Sequence, residues 1–158
     1  MLSIDYASHY NQDRLIIPVS LMLTEGWQRK VFMDDPAGPI EHFEWGQYRV
    51  MGKIHSAEGE GAGKDICLLK GEVRPWAARK GHRLTPDMVA VVFEQGVSTL
   101  VIGNGVRGRL KVTGKTRRAI QQAGIKKLIV ETTPEACATY NRLFQSGESV
   151  ALLAHGTC

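Results

Sequence analysis

Cysteine is scarce in these 158 residues. Cys67, Cys137 and Cys158 form an odd set without C-x-x-C spacing, which makes neither a disulfide framework nor a zinc site by itself. Aromatic residues are few, and the four Phe and three Trp are scattered, so the basic patch with exposed aromatics that marks a nucleic-acid binder is not expected. Long apolar runs are missing as well. Residues 15–23 are apolar but too short to span a bilayer, and Pro18 interrupts them, so no membrane insertion is expected. Residues 1–11 lack a basic region followed by an apolar one, so they do not read as a signal peptide. A reduced, cytoplasmic protein is expected. No P-loop, nucleophile elbow, H-E-x-x-H motif, repeat or low-complexity tract occurs, and no cofactor or metal is expected.

What is present is an ordinary globular chain of one-domain length, able to bury roughly two thirds of its unfolded surface. The net charge of +4 hides an asymmetry. Residues 1–60 carry five Lys or Arg against nine Asp or Glu, whereas residues 61–158 carry fifteen against seven. These are either solvated faces or an acidic front lying across a basic remainder.

Residues 97–110 organise the reading. Residues 99–102 form a β-branched apolar run that stops at glycine, as a buried parallel strand does. In the loop that follows, Gly103, Gly105 and Gly108 can adopt positive φ and expose backbone N–H groups, with Asn104, Arg107 and Arg109 beside them. That chemistry suits a small anionic ligand. The G-x-G-x-x-G match reads first as a plain structural turn and next as an anion pocket not built on the Rossmann plan, rather than as a nicotinamide site, because strand-like residues 109–112 intervene where a helix should start under the pyrophosphate.

Residues 15–23 with Trp27, Val31 and Phe32 are an apolar cluster without clean period, either a cover for the core or a docking arm. Asp34, Asp35, Pro36, Gly38 and Pro39 then signal a linker, which divides residues 1–39, an N-terminal extension, from a domain over 40–158. Residues 43–54 alternate as one half-exposed strand, residues 59–63 turn, and residues 65–69 form the second strand of a hairpin. A third strand near residues 73–76 is either confined to an edge or ended by Pro75. Thr85-Pro86-Asp87 starts a helix closed by Gly96, Thr113 or Thr116 opens a second closed by Gly124, and Thr133-Pro134-Glu135 opens a third closed by Gly147. Strands over 99–102, 125–130 and 150–153 alternate with them. The class is α/β, an antiparallel hairpin followed by αβαβαβ.

Further candidates are single residues. His82 lies in the basic run Arg79-Lys80-Gly81-His82-Arg83, where cationic neighbours favour a neutral imidazole for proton transfer or for plain hydrogen bonding. His155 and Cys158 are three residues apart, so the thiol is either activated by the imidazole or simply packed against the sheet. Asp65 and Asn141 offer a carboxylate and an amide, without a second carboxylate to complete an acid–base pair.

Five pieces carry a family resemblance: Trp45-Gly46-Gln47-Tyr48-Arg49-Val50, Trp76 with Gly81-His82, Thr99-Leu100-Val101-Ile102-Gly103-Asn104-Gly105, Thr133-Pro134-Glu135-Ala136 with Tyr140-Asn141, and Thr157-Cys158. Together, over about residues 44–158, they resemble the Mth-type domain of unknown function, a family that includes the adipogenesis-associated Mth-type protein and a mitochondrial complex I assembly factor. The resemblance implies a three-layer β plus α/β domain with a mixed central sheet. It implies no established reaction, and some members act through protein partners. The chain departs from the pattern in its first forty-odd residues and at Ala77-Ala78, where many relatives carry an aromatic and an arginine.

Two functions follow as expectations. The first is a non-enzymatic protein-binding or assembly-factor-like module. The second is a small-molecule enzyme or sensor that holds an anionic ligand at Gly103, Asn104, Gly105, Arg107 and Arg109, with His82, Asp65, Asn141 and Cys158 around it.

Overall fold

The computed structural model describes the backbone of residues 15–16 and all of residues 31–158. Two five-stranded sheets dominate it. The first is an antiparallel meander of β1 (Leu15–Ile16), β2 (Val31–Asp34), β3 (Ile40–Glu44), β4 (Gln47–Val50) and β5 (Lys53–Ser56), in that order. It extends upstream of the domain boundary expected near Ile40, and Phe32 and Met33 are fully buried in it.

The run 43–54 is therefore more than one strand. Two residues join β3 to β4 through Gly46 at φ 68°, and Met51 and Gly52, at φ 47° and 81°, make the next turn. Positive φ at both central residues is what a two-residue hairpin needs to match the twist of its strands.

The second sheet is mixed, in the order β11 (Lys127–Glu131), β9 (Thr99–Gly103), β12 (Val150–His155), β6 (Asp65–Leu69) and β7 (Glu72–Pro75). β9 runs parallel to both β11 and β12, as the crossover pattern predicts. β6, expected to pair with 43–54, instead forms a tight hairpin with β7 through Lys70-Gly71 and runs antiparallel to β12. β7 sits at the edge that Pro75 requires. A short parallel pair, β8 (Arg83–Leu84) with β10 (Lys111–Val112), ties the 77–82 loop to the segment after the glycine loop.

The helices cover opposite faces of this sheet. α2 (Gly114–Gln122) packs Ile120 with Leu100, Ile102, Ala151 and Leu153. α3 (Thr133–Gln145) packs Ala136 and Tyr140 with Val101, Leu152 and the inner face of the meander, including Phe43 and Tyr48. The alternation along β9 therefore divides two cores and gives three layers, meander with α3, mixed sheet, and α2.

The first expected helix is only a single turn, α1 (Pro86–Val89), continued by a 3-10 turn at Ala90–Val92, and Thr85 makes no side-chain cap. Three valines at positions 89, 91 and 92 give little helical drive once Glu94 turns to φ 59°. Thr113 caps α2 by accepting from the Thr116 N–H at 3.2 Å. Thr133, expected as a cap, lies inside α3 and uses its hydroxyl elsewhere.

His55 shows how the meander's last turn is held. Its Nδ1 accepts the Ala62 N–H at 2.8 Å, which requires that nitrogen to be unprotonated. Burial, and then the Lys53 charge, push the imidazole below its ordinary 6.5. The folded state therefore binds fewer protons than the unfolded chain between that lowered value and 6.5. The contribution is complete above pH 6.5 and is lost as pH falls through it, with a slope of at most about 1.4 kcal/mol per pH unit. Urea unfolding should lose stability on acidification through this range in the parent chain, and His55→Gln, which keeps an acceptor, should flatten the loss. Equal slopes in the two proteins would refute the assignment.

Candidate functional site

Strand register builds the site. Asp65 opens β6 and His155 closes β12, and the two stand directly opposite each other in the antiparallel ladder. Cross-strand partners share a face, so the carboxylate and the imidazole meet. His155 Nδ1 lies 2.6 Å from Asp65 Oδ1, and Arg79 donates from Nε to Oδ2 at 2.8 Å. Burial alone would raise the Asp65 pKa, but the hydrogen bonds and charges of His155 and Arg79 outweigh it and hold the carboxyl below its ordinary 3.8.

Two loops complete the group. Trp76 donates its indole N–H to the Met88 carbonyl at 2.7 Å, and so anchors the loop that carries Arg79 and His82. The His82 carbonyl accepts from the Lys111 N–H at 2.7 Å, while Arg79 donates to the Gly81 carbonyl at 2.6 Å. His82 Nε2 thereby comes within 3.6 Å of the Cys158 sulfur, and His155 Nε2 lies 3.8 Å from it. Thr157 Oγ1 is 3.2 Å from the same His155 nitrogen. His82 is exposed, Cys158 half-buried and His155 buried, so the sulfur lies between a solvent-facing and a fixed imidazole.

The glycine loop supports this arrangement through its backbone. The N–H of Val106 donates to the Thr157 carbonyl at 2.7 Å, and those of Arg107 and Arg109 reach the Cys158 backbone oxygen at 3.3 Å. The Asn104 N–H goes to Glu131, that of Gly105 to the Thr133 hydroxyl and that of Gly108 to Gly105. Thr133 Oγ1 in turn donates to the His155 carbonyl at 2.6 Å. The amides expected to face a ligand are thus engaged within the protein. Their product is a rigid seat for residues 155–158.

Asn141 stands apart from this group. Its amide accepts from the Ile40 N–H at 2.9 Å and donates to the Ile40 carbonyl and to Asp35 Oδ2, clamping α3 to β3. Of the residues singled out from sequence, the structure joins Asp65, His82 and Cys158 with His155, places Gly103, Asn104, Gly105, Arg107 and Arg109 on the supporting loop, and leaves Asn141 elsewhere. Arg79 and Thr157 are not among the candidate site residues, although Thr157 belongs to the Thr157-Cys158 piece of the resemblance. Arg79 stood in the basic run with His82, which was its only signal.

Chemically the group is a thiol–imidazole–carboxylate relay. The Asp65 carboxylate accepts from the His155 Nδ1–H and so assigns the lone pair to Nε2, facing the thiol. Cys67 and Cys137 offer no such chemistry, since burial raises the Cys67 thiol to about 11 and the Cys137 thiol still higher.

These layers define an α/β domain whose polar group sits where β6 and β12 meet the glycine loop. The family described as protein of unknown function (DUF498/DUF598) matches residues 40–155, and the chain belongs to it. A conserved hypothetical protein from Pyrococcus horikoshii has a similar structure, with a TM-score of 0.64 and 20% identity, over 75% of this chain and 98% of that one. An outer membrane protein from Bartonella henselae gives 0.61 and 20%, over 77% and 96%. The Mth938-like domain of a Bordetella pertussis protein gives 0.52 and 17%, over 75% and 85%. At these identities the likeness speaks for the fold. Among the described residues no helix is long and apolar enough to cross a membrane.

Proposed function

We propose that the protein works through the Cys158 thiol, as an enzyme or sensor for a small reactive molecule in a reducing, cytoplasmic setting. One observation carries the reading, the relay Asp65–His155–Cys158 with a second imidazole, His82, at the sulfur. His155 Nε2 takes the thiol proton, the Asp65 carboxylate steadies the resulting imidazolium, and the thiolate is the nucleophile. Arg79 holds the carboxylate in position. The module that binds a protein partner, as the adipogenesis-associated and complex I assembly relatives suggest, draws on resemblance alone.

Alkylation separates the two. Iodoacetamide at neutral pH on the chelator-treated protein, followed by peptide mass mapping, should modify Cys158 on the order of tenfold faster than a free cysteine and leave Cys67 and Cys137 nearly untouched. His155→Ala should remove the advantage while leaving the melting temperature within a few degrees. A parent protein whose Cys158 reacts no faster than free cysteine would refute the thiol reading and leave the partner-binding module in its place.

A further inference from the structure

The same side chains have the donor set of a metal centre. His82, His155 and Cys158 each offer one ligand atom, and those atoms lie within 4.8 Å of one another. Zinc bonds imidazole nitrogen at about 2.0–2.1 Å and thiolate at about 2.3 Å, which in a tetrahedron separates nitrogen from sulfur by about 3.5 Å. The two observed nitrogen–sulfur distances are 3.6 and 3.8 Å. The two nitrogens, which lie within 4.8 Å of each other against about 3.3 Å in a tetrahedron, must also close, and His82, as an exposed side chain, is free to swing in by the ångström or so this requires.

What surrounds the three donors also matches. A metal-bound imidazole commonly hands its other N–H to a carboxylate, which fixes the ring and raises its basicity, and Asp65 does this for His155. Arg79 balances the charge of that carboxylate. Two nitrogens and one sulfur suit a borderline-soft ion such as zinc rather than magnesium or calcium. Three protein ligands leave the fourth position open to water or to a small ligand.

We infer that His82 Nε2, His155 Nε2 and Cys158 Sγ bind a zinc-class divalent cation, which caps the thiol and controls its reactivity. The inference rests on the thiol reading in taking Cys158 as the reactive group, and its coordination geometry stands independently. On binding, the Cys158 S–H bond gives its proton to solvent and the metal–sulfur bond replaces it, so each ion taken up releases one proton. No oxidation is involved. The Thr157 hydroxyl, which reaches the same His155 nitrogen, turns away as the metal takes its place.

Cobalt(II) serves as the probe. Titrated into the chelator-treated full chain, it should bind one to one and produce the visible bands of a four-coordinate ion with a near-ultraviolet sulfur-to-cobalt band. Cys158→Ser should abolish the sulfur band, and His82→Ala should weaken binding at least tenfold with the fold intact by circular dichroism. Zinc should displace the cobalt and protect Cys158 from iodoacetamide. No sulfur band in the parent chain, or a band that survives Cys158→Ser, would overturn the inference. Slow alkylation in chelator together with a normal cobalt spectrum would sink the thiol reading and support the metal site.

Discussion

Gly105→Val dismantles the seat of residues 155–158 and lowers the melting temperature by roughly 10 °C, from a loss of at least about 3 kcal/mol. Two effects combine. Gly105 has φ 102°, a conformation closed to a β-branched residue. A side-chain carbon there would also run into the backbone carbon and oxygen of Cys158, with the Thr157 carbonyl at 3.1 Å. Backbone cannot swing aside as the tip of a flexible side chain can. The strand end must move, and the sulfur leaves its imidazoles.

Gly124→Ala provides the comparison. Gly124 has φ 88° with nothing near the added carbon, so it isolates conformational strain at about 1 kcal/mol. Calorimetry and Cys158 alkylation together decide the matter. If Gly105→Val melted alongside Gly124→Ala and kept a fast Cys158, the loop would have no hold on the site. Should Gly105→Val fail to fold, Gly105→Ala keeps the clash without the second branch and serves instead.

Asp65→Asn has the second large effect, on chemistry rather than stability. The asparagine is nearly the same size, and its carbonyl can still accept from Arg79. Its NH₂ group, however, donates to His155 Nδ1 where the carboxylate accepted, and this places the imidazole hydrogen on Nε2. That nitrogen can then neither take the thiol proton nor bind a metal without losing its own. Cys158 alkylation should slow by about tenfold, to the rate of a free cysteine, and cobalt should bind about 10- to 100-fold more weakly. Unchanged rates across the neutral pH range would mean that the relay is not coupled to the sulfur.

The fold was legible where chemistry is local. Glycines closing strands, threonine and proline opening helices, and apolar runs of strand length set out the crossover half of the chain, and Pro75 marked an edge. The meander was harder. Alternation continues through Met51-Gly52, and methionine at a positive φ is no turn signal, so two strands read as one. Crossovers predict parallel strands, but antiparallel pairing across long separations has no local signal, so alternation places β6 beside 43–54 where the fold sets it between β12 and β7.

That same blindness covered the site. Asp65, His82, His155 and Cys158 each carried visible chemistry, yet only the ladder between β6 and β12 brings the carboxylate to the imidazole. The glycine loop was conspicuous for its exposed amides, and nothing local says that residues 155–158 return to occupy them. Asn141 offers an amide in sequence, and the fold binds it to the backbone of Ile40.

The position of β12 has a consequence for biosynthesis. It lies between β9 and β6, so the sheet remains two separate fragments until residues 150–155 slot in along both neighbours. A nascent chain halted before Val150 would hold a β9–β11 ribbon and a β6–β7 hairpin with no ladder joining them. Zippering of that late central strand joins the fragments, and the same step delivers His155 and Cys158 to partners already waiting on the earlier half.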